Sequence, residues 1–198
     1  MDGETAREFL NDIGDEADRL TRITEKLLTL TRLDTAPAAE DVPVDVGAVV
    51  ERVEHMLSPL ARAVEVSLEL KLQPGCVVLA TEDDLYQIAF NLMENAVKYN
   101  LPGGRVLVTL TADGGRVVLR VEDTGVGIPE ADLPKIFDRF YRVDKARSRA
   151  AGGTGLGLSI VRDTVLQHGG AVTARRREPE GTCFEVSFAQ WNGEEVGR

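Results

Sequence analysis

Asparagine is a mediocre helix former, yet the segment N-L-M-E-N-A-V-K-Y-N, Asn91 to Asn100, places Asn91, Asn95 and Lys98 at i, i+4 and i+7. That spacing puts the three on one helical stripe beside the apolar face. Two amides in mid-helix suggest hydrogen bonding or metal coordination. Amide oxygens are hard ligands that suit magnesium, whose remaining ligands are waters and phosphate oxygens. The alternative is a solvated polar flank. A second cluster, D-T-G-V-G-I-P from Asp123 to Pro129, follows a hydrophobic strand. A carboxylate there can accept hydrogen bonds from an exocyclic amine while glycines let backbone approach a flat ligand. Taken alone, the segment also reads as a turn.

Two further clusters follow. G-G-T-G-L-G-L, Gly152 to Leu158, opens a helix, so its glycines present amides and a positive dipole end to phosphate. No G-K-[ST] follows, and Leu158 stands three after Gly155, so neither the Walker nor the G-x-G-x-x-G pattern is present. Between the glycine clusters lies I-F-D-R-F-Y-R-V-D, Ile136 to Asp144, and from Arg142 onward Arg142, Lys145, Arg147 and Arg149 face Asp144 alone. In an acidic chain that reversal could clamp phosphate oxygens; otherwise it is a loop with incidental charges anchored by Phe137 and Phe140.

The rest of the chain must position these groups. It has 198 residues, a formal net charge of −10, 43% hydrophobic and 28% charged residues, a globular composition. Excess acid argues against a nucleic-acid partner, which would need stripes of Lys and Arg, so an anionic ligand must be held by local geometry or a metal. No apolar run approaches the ~20 residues needed to cross a bilayer, and the start is acidic and polar, which predicts a cytoplasmic chain with no membrane segment. Cys76 and Cys183 lie far apart in apolar stretches with no C-x-x-C spacing, and read as buried free thiols.

Apolar residues recur at Ala6, Ile13, Leu20 and Leu27, and at Phe9, Ile23 and Leu30, as a and d positions of a heptad interrupted by Glu16. Such a seam predicts an intermolecular helix bundle; the alternative is a helix folded onto its own domain. The proline-bearing stretch Thr35 to Pro43 ends it and is the best domain boundary. The division is residues 1–36 helix, 37–43 linker, 44–190 main domain and 191–198 tail. Val46 to Leu60 reads as a helix, Val64 to Leu72 as an alternating strand, Cys76 to Leu79 as a short strand, and Thr81 to Tyr99 as a helix capped by Thr81. Val106 to Leu110 and Val117 to Val121 form a hairpin about Asp113-Gly114-Gly115. A helix from Leu158 to His168 stops at Gly169-Gly170, and strands Ala171 to Arg177 and Thr182 to Phe188 close the chain. Helices segregated to one face of a mixed sheet make a two-layer α/β sandwich.

The order of asparagine box, D-x-G-x-G, aromatic box and G-x-G-x-G resembles the catalytic ATP-binding domain of sensor histidine kinases over Val44 to Phe188. The heptad helix, ending T-L-T-R-L-D, resembles the second helix of that family's dimerisation domain. The resemblance implies the Bergerat α/β sandwich shared with gyrase, heat-shock and mismatch-repair ATPases, and Mg-ATP as ligand. It implies that Asn95 ligates magnesium with help from Asn91, that Lys98 contacts phosphate and that Tyr99 packs on the adenine or ribose side. Asp123 would take the adenine amino group, supported by Thr182 through water, with Gly125, Gly127 and Ile128 closing that side. Tyr141, Arg142 and Lys145 would line the phosphate side, Arg142 reaching the terminal phosphate, and Gly153, Thr154, Gly155, Leu156, Gly157 and Leu158 would hold the phosphate chain. Pro129 to Gly153 would be a mobile lid.

The family's reaction also needs an acceptor histidine in an H-E-[LF]-[KR]-[TN]-P setting, and neither His55 nor His168 has one. The expectation is a chain that begins between the two dimerisation helices, binds ATP without autophosphorylating, and belongs to a kinase that relays phosphate to a response regulator and dimerises through its N-terminal helix. The related ATPases carry a glutamate four before the magnesium asparagine; here Asn91 stands there, which predicts slow hydrolysis at most. Glu94 is the acid nearby and is expected to point away from the asparagine stripe. Two other readings stand beside this one: an anti-sigma-type serine kinase, and a nucleotide-gated dimerisation module without phosphate transfer.

Overall fold

The computed structural model describes residues 40–144 and 153–193, together with positions 13, 14, 21 and 24. The heptad helix lies outside the described residues apart from those isolated positions, as do Lys145, Arg147, Arg149, Gly152 and the last five residues.

Strand β1 (Val42–Asp45) begins inside the stretch read as linker and pairs antiparallel with β3 (Val77–Ala80). Helix α1 (Val46–Ala63) starts where the Asp45 carboxylate accepts from the amides of Gly47, at 2.8 Å, and Ala48, at 3.4 Å. It continues through Pro59 and past the expected end at Leu60. The strand expected from Val64 accordingly begins later: Val64 caps α1, Glu65 turns the chain with φ of 58°, and β2 runs Ser67–Leu72. Helix α2 (Glu82–Lys98) has the expected Thr81 cap, whose Oγ1 accepts from the Asp84 amide at 3.2 Å. Strands β4 (Arg105–Asp113) and β5 (Arg116–Asp123) form the hairpin, turned at Gly114 and Gly115, both with positive φ. After a 3-10 turn at Leu133–Lys135 come helix α3 (Gly157–Gln167) and strands β6 (Ala171–Arg176) and β7 (Thr182–Ala189).

The main sheet has the order β2-β4-β5-β7-β6, with β2 and β4 parallel and the other pairs antiparallel. Parallel strands need a crossover, and here β3 and α2 supply it. Alternation sends Val106, Val108 and Leu110, then Val117, Leu119 and Val121, then Phe184, Val186 and Phe188 into one core with the buried faces of the three helices. The result is the expected two-layer sandwich. Cys76 and Cys183 are buried free thiols, also as expected. No described helix is long and apolar enough to cross a membrane.

The same alternation builds the site. Asp123 stands two residues after Val121 in β5, so the period that buries the valine turns the carboxylate inward as well, 6% exposed.

Candidate functional site

A cavity of about 360 Å³ opens between the C-terminal half of α2, the loop after β5, the segment Ile136 to Asp144 and the N-terminus of α3. Its wall brings together Asn95, Lys98, Tyr99, Asp123, Gly127, Ile128, Tyr141, Arg142, Gly153, Thr154, Gly155, Gly157, Leu158 and Thr182, fourteen of the residues expected from sequence. Of the rest, Lys145 lies outside the described residues, and Asn91, Gly125 and Leu156 stand behind the wall.

Each of the three has a physical reason. Asn91 is 2% exposed, one turn deeper along α2 than Asn95, and its Nδ2 donates to the Gln87 carbonyl of its own helix at 2.9 Å. Leu156 is fully buried against Ile160. Gly125 serves a close approach of chain to chain and not of chain to ligand: a Cβ there would lie 2.3 Å from the Tyr99 carbonyl oxygen. Glu94 is the converse correction. It belongs to the cavity wall and pairs with Lys98 at 2.9 Å. Glu94 stands three residues after Asn91, and i, i+3 neighbours share a helix face, so the stripe extends to include it.

Asp123 is held by backbone. Its Oδ1 accepts from the Gly125 amide at 2.8 Å and from the Thr182 backbone amide at 3.2 Å. This leaves Oδ2 for a donor in the cavity. Burial raises the carboxyl above its ordinary range, against the opposing pull of those two amides.

The same wall carries Arg142, whose Nε and Nη2 are buried with no hydrogen-bond partner among the described residues. Buried donors are nearly always satisfied, so an orphaned guanidinium fits an anion. Helix α3 repeats the pattern. Asp45 and Thr81 cap α1 and α2 with their side chains, whereas α3 has no side-chain cap, and its first residues line the cavity. Its free amides and dipole suit phosphate.

The described part of the expected lid, Pro129 to Asp144, is anchored to the body. Ile136 is buried in the core and Phe137 meets Phe184 edge-on at 6.4 Å, while within the segment Tyr141 donates from its hydroxyl to Asp132 at 2.6 Å. Arg139 pairs with Asp163 of α3 at 3.0 Å, and the Phe140 amide donates to the Gly155 carbonyl at 2.8 Å. Gly155 has φ of 74° and is so close to Phe140 that a Cβ would lie 2.9 Å from its carbonyl carbon. Of the apolar wall residues, Val126, Pro129, Ile136 and Val143 lie inside two of the motif segments but are not singled out by them, and Phe184 lies outside any motif, since apolar side chains in a wall look like any core residue.

Residues 80–191 match the model of the family described as histidine kinase-, DNA gyrase B-, and HSP90-like ATPase. The chain belongs to this family. It is 34% identical over 191 residues to the sensor-like histidine kinase SenX3 of Mycolicibacterium smegmatis, covering 96% of this chain and 50% of that protein. Among solved structures it is similar to full-length ShkA in complex with AMPPNP, with TM-score 0.78, 31% identity, and coverage of 94% of this chain and 40% of that one. The histidine kinase ThkA, solved with the response regulator protein TrrA, has TM-score 0.77 at 23% identity, covering 96% of this chain and 53% of that one, a likeness of fold. The chain thus carries the catalytic, ATP-binding domain of the sensor histidine kinases, and spans about half the length of the curated relative SenX3.

Proposed function

We propose that this chain binds Mg-ATP in the cavity between α2 and α3 and supplies the phosphoryl-donating half of a two-component sensor kinase. The acceptor would be a histidine on a dimerisation helix, and the phosphate would pass to a response regulator. The observation that carries this reading is the orphaned Arg142 guanidinium in the same cavity as the buried Asp123 carboxylate. The cavity thus offers both an acceptor for an exocyclic amine and donors for phosphate, the complement an adenine nucleotide needs.

The oxygen donors fit magnesium. Asn95 and Glu94 offer the wall's hard oxygens on α2, and no cluster of three acids or other metal-ligating side chains occurs among the described residues. Magnesium tolerates so few protein ligands because phosphate and water complete its shell. When bound, the ion neutralises charge on the phosphate chain. Asn95 would hold it, Lys98 and Arg142 would fix the phosphate oxygens, and the α3 amides would hold the rest of the chain. Asp123 would orient the base, with Tyr99 and Ile128 packed beside it. Phosphoryl transfer is mainly positioning and charge stabilisation, which this arrangement supplies. A second copy would join through the N-terminal helix.

Calorimetric titration of Mg-ATP into the chain, beside Asp123→Asn, tests the pocket. Saturable binding that is lost or much weakened in the variant is expected; equal binding by both would overturn the adenine assignment. Adding a separate acceptor helix bearing the histidine motif then tests transfer. Phosphohistidine on that helix supports the kinase, and nucleotide-dependent association without transfer would leave an interaction module.

A further inference from the structure

Away from the cavity, the other ends of α2 and α3 meet at His168. This residue caps the C-terminus of α3 with 2% of its side chain exposed. Its Nε2 lies 2.9 Å from Asp84 Oδ2 in the first turn of α2, and its Nδ1 lies 3.1 Å and 3.3 Å from the two carboxylate oxygens of Asp41, just ahead of β1. Ionised carboxylates only accept hydrogen bonds. A neutral imidazole has one donor and would turn a lone pair toward one of the acids, so both contacts are satisfied only when both ring nitrogens carry protons. The acids approach opposite nitrogens of the ring, which is the geometry of a bridge and not of a convergent metal site.

We infer that the His168 imidazolium is a proton-dependent strap that fastens the segment entering β1 to the α2–α3 helix pair, and that loss of its proton releases the Asp41 side. Asp41 is the side to yield because its contact is longer and its side chain is 43% exposed against 25% for Asp84, so water replaces its partner more readily. Asp84 also sits in the first turn of α2, where the helix dipole favours its charge. What the strap secures is slight otherwise: β1 pairs with β3 through only four residues, Val42 to Asp45. The strand leads in from the N-terminal segment, so the strap sets how firmly that segment is tied to the body. The inference does not depend on the nucleotide reading.

Among the described residues, the charged surroundings of the ring are few. Asp41 faces it from ahead of β1 and Asp84 from α2, and Glu82 in the same turn of α2 pairs with Arg52 of α1. The adjoining cavity is completed by Leu79 of β3 and by residues 188–192, Phe188 to Asn192, none of them charged. The Asp84 hydrogen bond, outweighing burial, raises His168 above its ordinary value, and the same bond lowers Asp84. The signs define a window. The His168 contribution is complete below about pH 6.5 and is lost as pH rises through the raised value; the Asp84 contribution is present above about pH 4 and is lost as pH falls through the lowered one.

Proton NMR titration of the full chain tests this, with His168→Gln assigning which of the two histidine signals belongs to the strap. The expected midpoint lies above about 6.5 and falls in Asp41→Asn. Amide exchange in β1, corrected for intrinsic base catalysis, is expected to accelerate several-fold as pH crosses that midpoint. In Asp41→Asn the acceleration is already present at low pH. A midpoint at or below 6.5, or β1 exchange indifferent both to the midpoint and to Asp41→Asn, would overturn the strap. Should His168→Gln not fold, the signal that moves in Asp41→Asn identifies His168 and the same criteria apply.

Discussion

The two ends of the α2–α3 pair use buried polar groups in opposite ways. At the His168 end both ring nitrogens meet carboxylates, and α2 begins with its Thr81 cap in place. At the cavity end two Arg142 nitrogens find no partner among the described residues, α3 begins without a side-chain cap, and only one oxygen of Asp123 is engaged by the backbone amides of Gly125 and Thr182. An unsatisfied buried donor costs about 1–3 kcal/mol, and a fold retains such costs only where something else repays them. The satisfied end is architecture; the unsatisfied end awaits a ligand. Substitutions at the two ends should therefore trade stability against binding in opposite directions.

The largest effect is expected at Asp123→Asn. The side chain keeps its shape and an oxygen for the Gly125 and Thr182 amides, but presents an NH2 where an exocyclic amine would arrive. Losing a charged acceptor and opposing donor to donor amounts to roughly 3 kcal/mol, about a 100-fold weakening of Mg-ATP binding. Stability should move the other way. Burial raises this carboxyl, so its contribution to folding is favourable below its unfolded value and is lost as pH rises through the raised folded one. Asp123→Asn should therefore unfold no earlier than the parent at pH 7, with any advantage shrinking toward pH 4, in paired thermal melts. Next comes Arg142→Ala, which removes two donors that have no partner among the described residues. Affinity should fall about 10- to 100-fold, the range for hydrogen bonds to a charged group, with little change in the melting temperature. A large loss of stability would mean that Arg142 is a structural residue after all.

Much of this division was legible in the residues, and the gaps are instructive. Strict alternation located β4 and β5, and the cap at Thr81 and the glycines after His168 located the helix ends, because those signals are local. The start of β2 was displaced since alternation at Val64 and Val66 continues the strand pattern on paper, while Val64 in fact closes α1. Thirteen of the fourteen expected wall residues lie in the four motif segments, and Thr182 followed from the family resemblance alone. Glu94 was misjudged by treating the stripe on α2 as too narrow, and the apolar wall residues, though four of them fall inside the motif segments, went unassigned because nothing marks a valine as facing a cavity. The His168 bridge joins residues 127 and 84 positions apart in the chain, a pairing that no periodicity encodes.

Gly125→Ala separates packing from binding. The added Cβ would press on the Tyr99 carbonyl oxygen, and overpacking of this kind costs about 1–3 kcal/mol. The variant should melt several degrees lower, with Mg-ATP binding weakened through displacement of Tyr99 and of the Asp123 loop. Full affinity with a lowered melting temperature would show that the loop repositions once ligand is present.

The smallest effect on affinity is expected at Asn91→Ala, where the motif and the geometry disagree. Both asparagines fall on one stripe of α2, but only Asn95 lines the cavity, while Asn91 spends its amide NH2 on the Gln87 carbonyl. Asn91→Ala should thus cost about 1 kcal/mol of stability and change Mg-ATP affinity by less than about twofold. Asn95→Ala should largely abolish the difference between affinities measured with magnesium and with a chelator. If Asn91→Ala erased that difference too, Asn91 would return to the metal site, and α2 would have to shift or its side chain rotate when nucleotide binds. Stability measured with and without Mg-ATP would reveal the same movement, because a side chain that leaves Gln87 for the ligand stabilises the complex more than the free protein.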